Sequence, residues 1–377
     1  MRAQESKSID QLLKTQFVWD CWVHKQVKGN QNPFYHIYHL QAPRWREDGS
    51  AYETEERHHF ASVGHITATD LFDPSSWEYH GTCLHPDTEN HNSPHSLAIW
   101  TGSMMSIDDQ NLRQALGASY IMALTGRSKK DLGRIQRLWF AVSEDAYNWA
   151  ILRDHKGQIR ELDLSSIGHQ GYGWAIEGDE NNPVEVFHCR DPKIMPYPGR
   201  EGEYLMLFTS HRADKEDKPF TNGCIGAAIS SDLINWEILP PLNTPKLLGK
   251  MEVPQLVNQG NNWYLLISCE TNVENKELLD NLKVPYNSGG YVFKLKPRNN
   301  EKTGYLDLGG SWEYFDYWGG SATPENLPVL YAPTVADVIE IDDSTKEVVI
   351  LAWHGYTNRN DYGEFEGGYK AYKVELS

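Results

Sequence analysis

Apolar residues fall along the chain in short runs rich in Val, Ile, Tyr, Phe and Trp, bounded by Gly, Asn, Asp or Pro. SLAIWTGSMM, SYIMALTGR, RLWFAVS, EYLMLFTSH, GCIGAAIS, NWYLLISC, GGYVFKL and EVVILAWHGY are examples. β-Branched and aromatic residues in runs of this length, set between turn formers, predict strands. Helical periodicity is confined to SIDQLLKTQF near the N-terminus and NKELLDNL at 275–282. The pattern predicts an all-β fold.

One local pattern recurs. ATDLFDPSSWEYH (68–80), AVSEDAYNWAIL (141–152) and AISSDLINWEIL (228–239) each run from a small apolar residue through Ser, Thr or Asp and an acidic turn to Trp. Trp77, Trp149 and Trp236 lie about 70–90 residues apart, and Trp312 in GGSWEYF follows after a similar gap. A repeat on the scale of a four-stranded unit is the signature of a propeller. In each unit an Asp-containing turn reverses the chain, and Trp plugs the next strand against the neighbouring blade. Five units of roughly 75 residues fill the chain, so the expectation is a five-bladed β-propeller: one domain over 1–377, with 1–16 as an N-terminal extension. A pair of β-sandwiches would also supply short strands but would not produce the repeat.

Composition narrows the partners. A net charge of −17 repels nucleic acid and anionic membranes, and the densest basic stretch, GRSKKDLGRIQR (126–137), does little to offset it. No run approaches the roughly 18 apolar residues of a membrane span. MRAQESKSIDQLLKTQF lacks an apolar core and cleavage site, so no signal peptide is read and a cytoplasmic location is expected. The five cysteines are scattered, without zinc spacing, as expected of reduced thiols. With 13 Trp and 20 Tyr, the chain has many flat apolar rings on which the C–H faces of a small carbohydrate can stack.

Three acids stand out by context. Asp20 lies between two indoles in VWDCW, Asp191 follows Arg190 in CRDPKIM, and Glu252 precedes a strand in KMEVPQLV. Each has an ordinary explanation. Asp-Pro commonly opens a turn, and Glu252 fits a solvated loop. Asp20 is harder to explain away, because an ionised carboxylate among apolar rings needs partners or a purpose. The three fall in three different units of the repeat. Glycoside hydrolysis needs two carboxyl groups flanking the scissile bond, one protonated and one ionised. A third acid can hold sugar hydroxyls, and Arg190 would keep Asp191 ionised.

These motifs resemble those of the five-bladed propeller glycosidases acting on fructosides, the clan of glycoside hydrolase families 32 and 68. VWDCW is similar to the levansucrase nucleophile segment, and IWTGS (99–103) to the Trp-Ser-Gly-Ser segment whose last Ser bonds the nucleophile. RDPK (190–193) is similar to the Arg-Asp-Pro motif of both families, and MEVPQL (251–256) to the invertase Glu-Cys-Pro segment. The resemblance implies a retaining β-fructofuranosidase or fructosyltransferase acting on a small fructoside such as sucrose. In it Asp20 is the nucleophile, Glu252 the general acid and base, and Asp191 the transition-state stabiliser beside Arg190. Trp19 and Trp100 wall the sugar site and Ser103 orients Asp20, while Trp22 packs behind into the first blade. No cofactor is implied, and calcium at the propeller axis is left open.

Some positions depart from these families. Val253 and Lys250 stand where levansucrases carry an Arg and an acid, and the invertase Asn-Asp-Pro-Asn is absent. Two alternatives therefore stay open: an inverting propeller glycosidase of the arabinanase or β-xylosidase type, in which Asp20 activates water, and a non-catalytic sugar-binding propeller in which the acids do not converge. Arg127, Arg134 and Arg137 suit either a solvated basic loop or a phosphate or sugar rim. His188 and His354 are candidates for the funnel lining or for the core. Cys21 and Cys189 adjoin the proposed site without a basic partner, as packing residues would.

Overall fold

The structure is a computed structural model, and it describes residues 9–27, 33–177, 183–213, 222–259, 262–269, 280, 289–298, 306–318, 331–340, 346–353 and 368–375. His354 and all of the 275–282 segment except Asp280 lie outside the described residues.

Its strands form five antiparallel sheets arranged as a five-bladed propeller. Blade 1 holds β1 (Gln16–Gln26), β2 (Phe34–Pro43), β3 (Ser62–Ala68) and β4 (Trp77–Leu84). Blade 2 holds β5 (Ala98–Ser106), β6 (Tyr120–Arg127), β7 (Gln136–Ser143) and β8 (Ala150–Ile151). A two-stranded hairpin, β9 (Ala175–Glu177) and β10 (Val184–Val186), stands between blades 2 and 3 in sequence. Blade 3 holds β11 (Arg190–Pro196), β12 (Tyr204–His211), β13 (Gly223–Ser230) and β14 (Glu237–Leu239). Blade 4 holds β15 (Glu252–Gln259), β16 (Asn262–Cys269), β17 (Gly289–Lys296) and β18 (Ser311–Trp318). Blade 5 holds β19 (Tyr331–Glu340), β20 (Lys346–Trp353) and β21 (Tyr369–Glu375).

The recurrent Trp opens the outermost strand of blade 1, lies at the start of that of blade 4, and directly precedes that of blades 2 and 3. In the turns of blades 2 and 3 the local chemistry is the same. Ser143 and Ser230 accept backbone N–H groups at the turn, Asp145 and Asp232 accept the next two, and Asn148 and Asn235 donate back to the Asp. Side chains thus satisfy the turn's backbone donors. Each Trp then packs on the preceding blade: Trp149 edge-on to Tyr38 at 5.7 Å, and Trp236 stacked on Phe140 at 6.0 Å. Trp312 joins Leu205 and Leu207 of blade 3, and Trp77 joins Val349 and Leu351 of blade 5. The apolar core is accordingly divided among the interfaces between neighbouring blades. Each fully buried aliphatic or Phe side chain there contributes roughly 1.5–3 kcal/mol.

The ring closes between β1 and blade 5. Trp353 Nε1 donates to Val18 O at 2.9 Å, Tyr369 OH to Trp19 O at 3.0 Å, and Thr334 Oγ1 to Cys21 O. Asp337 accepts from Lys25 at 2.7 Å and from Tyr35 at 2.9 Å.

Among the described residues two α-helices accompany the blades. The helix expected from SIDQLLKTQF is α1 (Ile9–Thr15), which stops where Phe17 enters β1 and is buried in the first inter-blade core. Helix α2 (Gln110–Leu116) forms where the sequence pattern predicts none; Asp109 caps its first turn and Gly117 closes it at φ 59°. Among the described residues no helix is long and apolar enough to cross a membrane.

Candidate active site

The innermost strand of every blade breaks its pairing register at one comparable place. The breaks fall at Trp19/Cys21, Trp100/Gly102, Arg190/Lys193, Glu252/Gln255 and Tyr331/Thr334. Such bulges re-aim side chains. In four of the five the bulged residue has a left-handed backbone: Asp20 at φ 27°, Asp191 at 53°, Val253 at 50° and Ala332 at 47°. Non-glycine residues pay roughly 1–3 kcal/mol for this conformation, and the strain concentrates at functional sites. In blades 3 to 5 the bulged residue is followed by Pro192, Pro254 or Pro333, whose missing N–H the interrupted ladder does not need. The dipeptides at the bulges are Trp19-Asp20, Trp100-Thr101, Arg190-Asp191, Glu252-Val253 and Tyr331-Ala332.

These bulges bring the three predicted acids together around Arg190. Its Nη2 donates to Glu252 Oε1 at 2.6 Å, its Nε lies 3.4 Å from Asp191 Oδ2, and its Nη1 reaches Gln136 Oε1 at 3.2 Å. Asp191 Oδ2 also accepts from Thr209 Oγ1 at 3.0 Å and from Val253 N at 3.3 Å. Tyr331 OH donates to Glu252 Oε2, and Thr101 Oγ1 donates to Asp20 Oδ2 at 2.7 Å.

Burial raises the Asp20 carboxyl to about 6; the Thr101 hydrogen bond opposes the rise and the negative charge of Glu252 adds to it. Burial likewise raises Asp191 to about 7, with Arg190 opposing and Glu252 and Asp20 reinforcing. For Glu252, burial works upward, but Arg190, Lys250 and the Tyr331 hydrogen bond outweigh it and hold the group below its ordinary value. Asp191 and Glu252 therefore share one guanidinium, Asp20 lies within the fields of Arg57 and Arg190, and the negative charge is held most firmly on Glu252.

A model of the glycosyl hydrolases family 32 N-terminal domain matches residues 32–361. The chain belongs to this family. It is a glycoside hydrolase. Its fold is also that of several solved structures. With inulosucrase from Halalkalicoccus jeotgali bound to kestose the TM-score is 0.62 at 19% identity, covering 96% of this chain and 86% of that one. With Bacillus subtilis levansucrase the TM-score is 0.58 at 14% identity, covering 98% and 86%. With a mutant of the β-fructofuranosidase from Microbacterium saccharophilum it is 0.60 at 16% identity, covering 100% and 73%. No curated protein sequence matches the chain.

Around the acids of this family 32 chain stands an aromatic and basic rim. Trp19 is only 2% exposed, and its ring meets Arg57 at 5.4 Å and His58 edge-on at 5.7 Å. Trp100, partly exposed, lies 5.7 Å from His58, donates Nε1 to His58 O and carries Arg127 over its face at 4.6 Å. Trp22 stacks on Tyr38 at 6.1 Å, inside blade 1. Arg137 pairs with Asp131 at 2.5 Å, so the basic stretch splits between an internally paired loop and a residue turned onto the site.

Ser103 is placed differently from expectation. Its buried hydroxyl accepts the N–H of Ile194 at 2.9 Å, and the bond to Asp20 comes instead from Thr101. The bulge between Trp100 and Gly102 re-aims the side chain of Thr101, the residue at the first Ser of the Trp-Ser-Gly-Ser segment, whereas the resemblance assigns the bond to its last Ser.

Tyr331, His58 and Arg57 belong to the site although the sequence reading does not single them out. A signal for Tyr331 exists: Tyr-Ala-Pro repeats the residue-residue-Pro layout of Arg-Asp-Pro and Glu-Val-Pro. His188 is fully buried with Nε2 2.8 Å from Glu177 Oε1, and Lys250 Nζ lies 3.6 Å from the same oxygen. Burial raises the thiols of Cys21 and Cys189 far above their ordinary range, which leaves them inert. Among the described residues no group of three or more His, Cys, Asp or Glu side chains has a metal-holding arrangement.

Proposed function

We propose that the chain is a retaining β-fructofuranosidase-type enzyme for sucrose or a related small fructoside. The observation that carries this is the convergence of Asp20, Asp191 and Glu252 from three blades into one another's fields, with Arg190 bridging Asp191 and Glu252, in a chain of family 32. Asp20 attacks the anomeric carbon and forms the covalent intermediate. Glu252 protonates the leaving oxygen and then activates water or an acceptor hydroxyl. Asp191, locked by Thr209 and Arg190, grips ring hydroxyls as positive charge builds on the sugar. Trp19 and Trp100 wall the site.

The first step needs a proton on Glu252 and none on Asp20. The pairing of Arg190 with Glu252 favours the opposite distribution. Sugar binding therefore has to relieve Glu252 of part of Arg190's pull and pass it the proton that the cluster retains near pH 6–7.

Inversion is the competing chemistry, and one observation favours it: a carboxylate raised to about 6, such as Asp20, is well placed to act as a general base on water. Product stereochemistry followed by NMR, over a panel of sucrose, inulin-type oligomers, arabinosides and xylosides, separates the two. A first-formed β-fructofuranose from sucrose supports the proposal. Initial inversion, or turnover of only arabinosides or xylosides, defeats it.

A further inference from the structure

Away from the carboxylates, a groove of about 1430 Å³ runs along β4, the outermost strand of blade 1, where that blade meets blade 2. At 8 residues β4 spans about 26 Å, and the groove's volume exceeds the ~300–1,000 Å³ of a compact ligand pocket. Its extent along β4 suits an elongated occupant.

One end lies beside the catalytic rim. His59 and Phe60 line it, directly after His58, whose ring packs against Trp19 and Trp100. The other end is Tyr147 and Asn148, in the turn before β8. Between them His80 of β4 adds an aromatic wall, with Tyr147 edge-on to it at 5.1 Å and His65 tilted against it at 5.1 Å.

The walls are close to neutral. Burial holds the rings of His65, His80 and His59 below their ordinary value, so they are uncharged at neutral pH. Glu78 and Lys129 oppose each other in sign, and Lys129 Nζ is tied to Thr88 O at 2.9 Å. Phosphates and nucleic acid find no cationic surface here. Tyr147, 39% exposed, and Phe60, 36% exposed, offer ring faces to a ligand with apolar C–H surfaces and uncharged hydroxyls.

We propose that this groove binds a neutral oligosaccharide and holds the distal units of a glycan whose end occupies the catalytic funnel. The link to the funnel rests on the proposed function; the groove's own affinity does not.

The test is calorimetric titration of the Asp20→Asn protein, which prevents turnover, with sucrose, inulin-type oligomers of about ten units, and xylo- and malto-oligosaccharides of matched length. A long neutral oligomer should bind more tightly than sucrose. Adding Phe60→Ala or Tyr147→Ala should weaken that oligomer roughly five- to tenfold, while either single variant leaves sucrose turnover by the Asp20-containing enzyme unchanged. Thr88→Trp, on the exposed lip, should block the groove without touching the packed rings, which guards against misfolding of Tyr147→Ala. Length-independent binding, or full affinity in all three variants, overturns the groove. If the enzyme cleaves no fructoside yet a long oligomer binds in a Phe60-dependent way, the proposed function fails and the groove stands.

Discussion

Tyr331 donates its phenolic hydrogen to Oε2 of Glu252 while Arg190 holds Oε1, so the carboxylate assigned as acid and base is gripped from both sides. The two grips differ in kind. Arg190 brings charge and Tyr331 brings a single neutral hydrogen bond, so Tyr331 is the partner that can be removed without leaving a buried ion unpaired.

Tyr331→Phe should therefore raise the Glu252 value, because the lost bond is one of those holding it down. Glu252 holds its proton less firmly than Asp20, so the acidic limb of kcat/KM follows Glu252 and should move up by about 0.5–1 pH unit. A limb that stays put or moves down would remove Glu252 from the acid's role.

Thr101 and Ser103 should separate catalysis from stability. Thr101→Val deletes the bond that lowers Asp20, so the alkaline limb of kcat/KM should rise above its position near 6. Ser103→Ala instead orphans the buried N–H of Ile194, which costs roughly 1–3 kcal/mol of stability without moving that limb. Thermal melts and pH profiles of the pair check this, and a shifted limb in Ser103→Ala would reinstate Ser103 as the orienting residue.

Stability should fall as pH rises across the neutral range. Asp20 and Asp191 bind protons more tightly folded than unfolded, with values of about 6 and about 7 against an ordinary 3.8. Their contribution is complete below 3.8 and lost as pH rises through 6 and 7. Glu252 has the opposite sign, and its contribution is lost only at lower pH. Tm measured from pH 5 to 8 should decline, and Asp20→Asn should flatten the lower part of that decline. An identical slope in the variant would show that Asp20 keeps an ordinary acidity.

Ala332→Gly tests the strain. At φ 47° the alanine is in a conformation natural to glycine, and relief of about 1 kcal/mol should offset the loss of one buried methyl. Tm is expected to hold, while kcat falls because Tyr331 is less firmly aimed. A collapse in Tm would place the methyl, and not the backbone, in control of the bulge.

Much of this architecture is legible in the chain. GCIGAAIS and NWYLLISC coincide with β13 and β16, because interior strands buried on both faces read as uninterrupted apolar runs. β2 and β3 do not read that way. They bury His36, His39 and His65, which hydrogen-bond with one another or with Gln41, and a run scored on apolarity passes over them. Asp20, Asp191 and Glu252 stand out by their incongruous settings. Thr101 gives way to Ser103 in such a reading because the resemblance to Trp-Ser-Gly-Ser points to the last residue, while the bulge that turns Thr101 towards Asp20 leaves no mark in the sequence. His58 and Arg57 lie in the 3-10 helix Thr54–His59, where no periodic pattern points to a site.

Three of the bonds that join β1 to blade 5 land on the carbonyls of Val18, Trp19 and Cys21, which flank Asp20. The strand bearing the earliest acid is thus pinned by the latest blade in the chain. During synthesis a nascent chain carries Asp20 long before it carries Trp353 or Tyr369, and for that interval the carboxylate has no fixed address. Competence to cleave sugar then waits on the last described blade, whose bonds fix the backbone around Asp20.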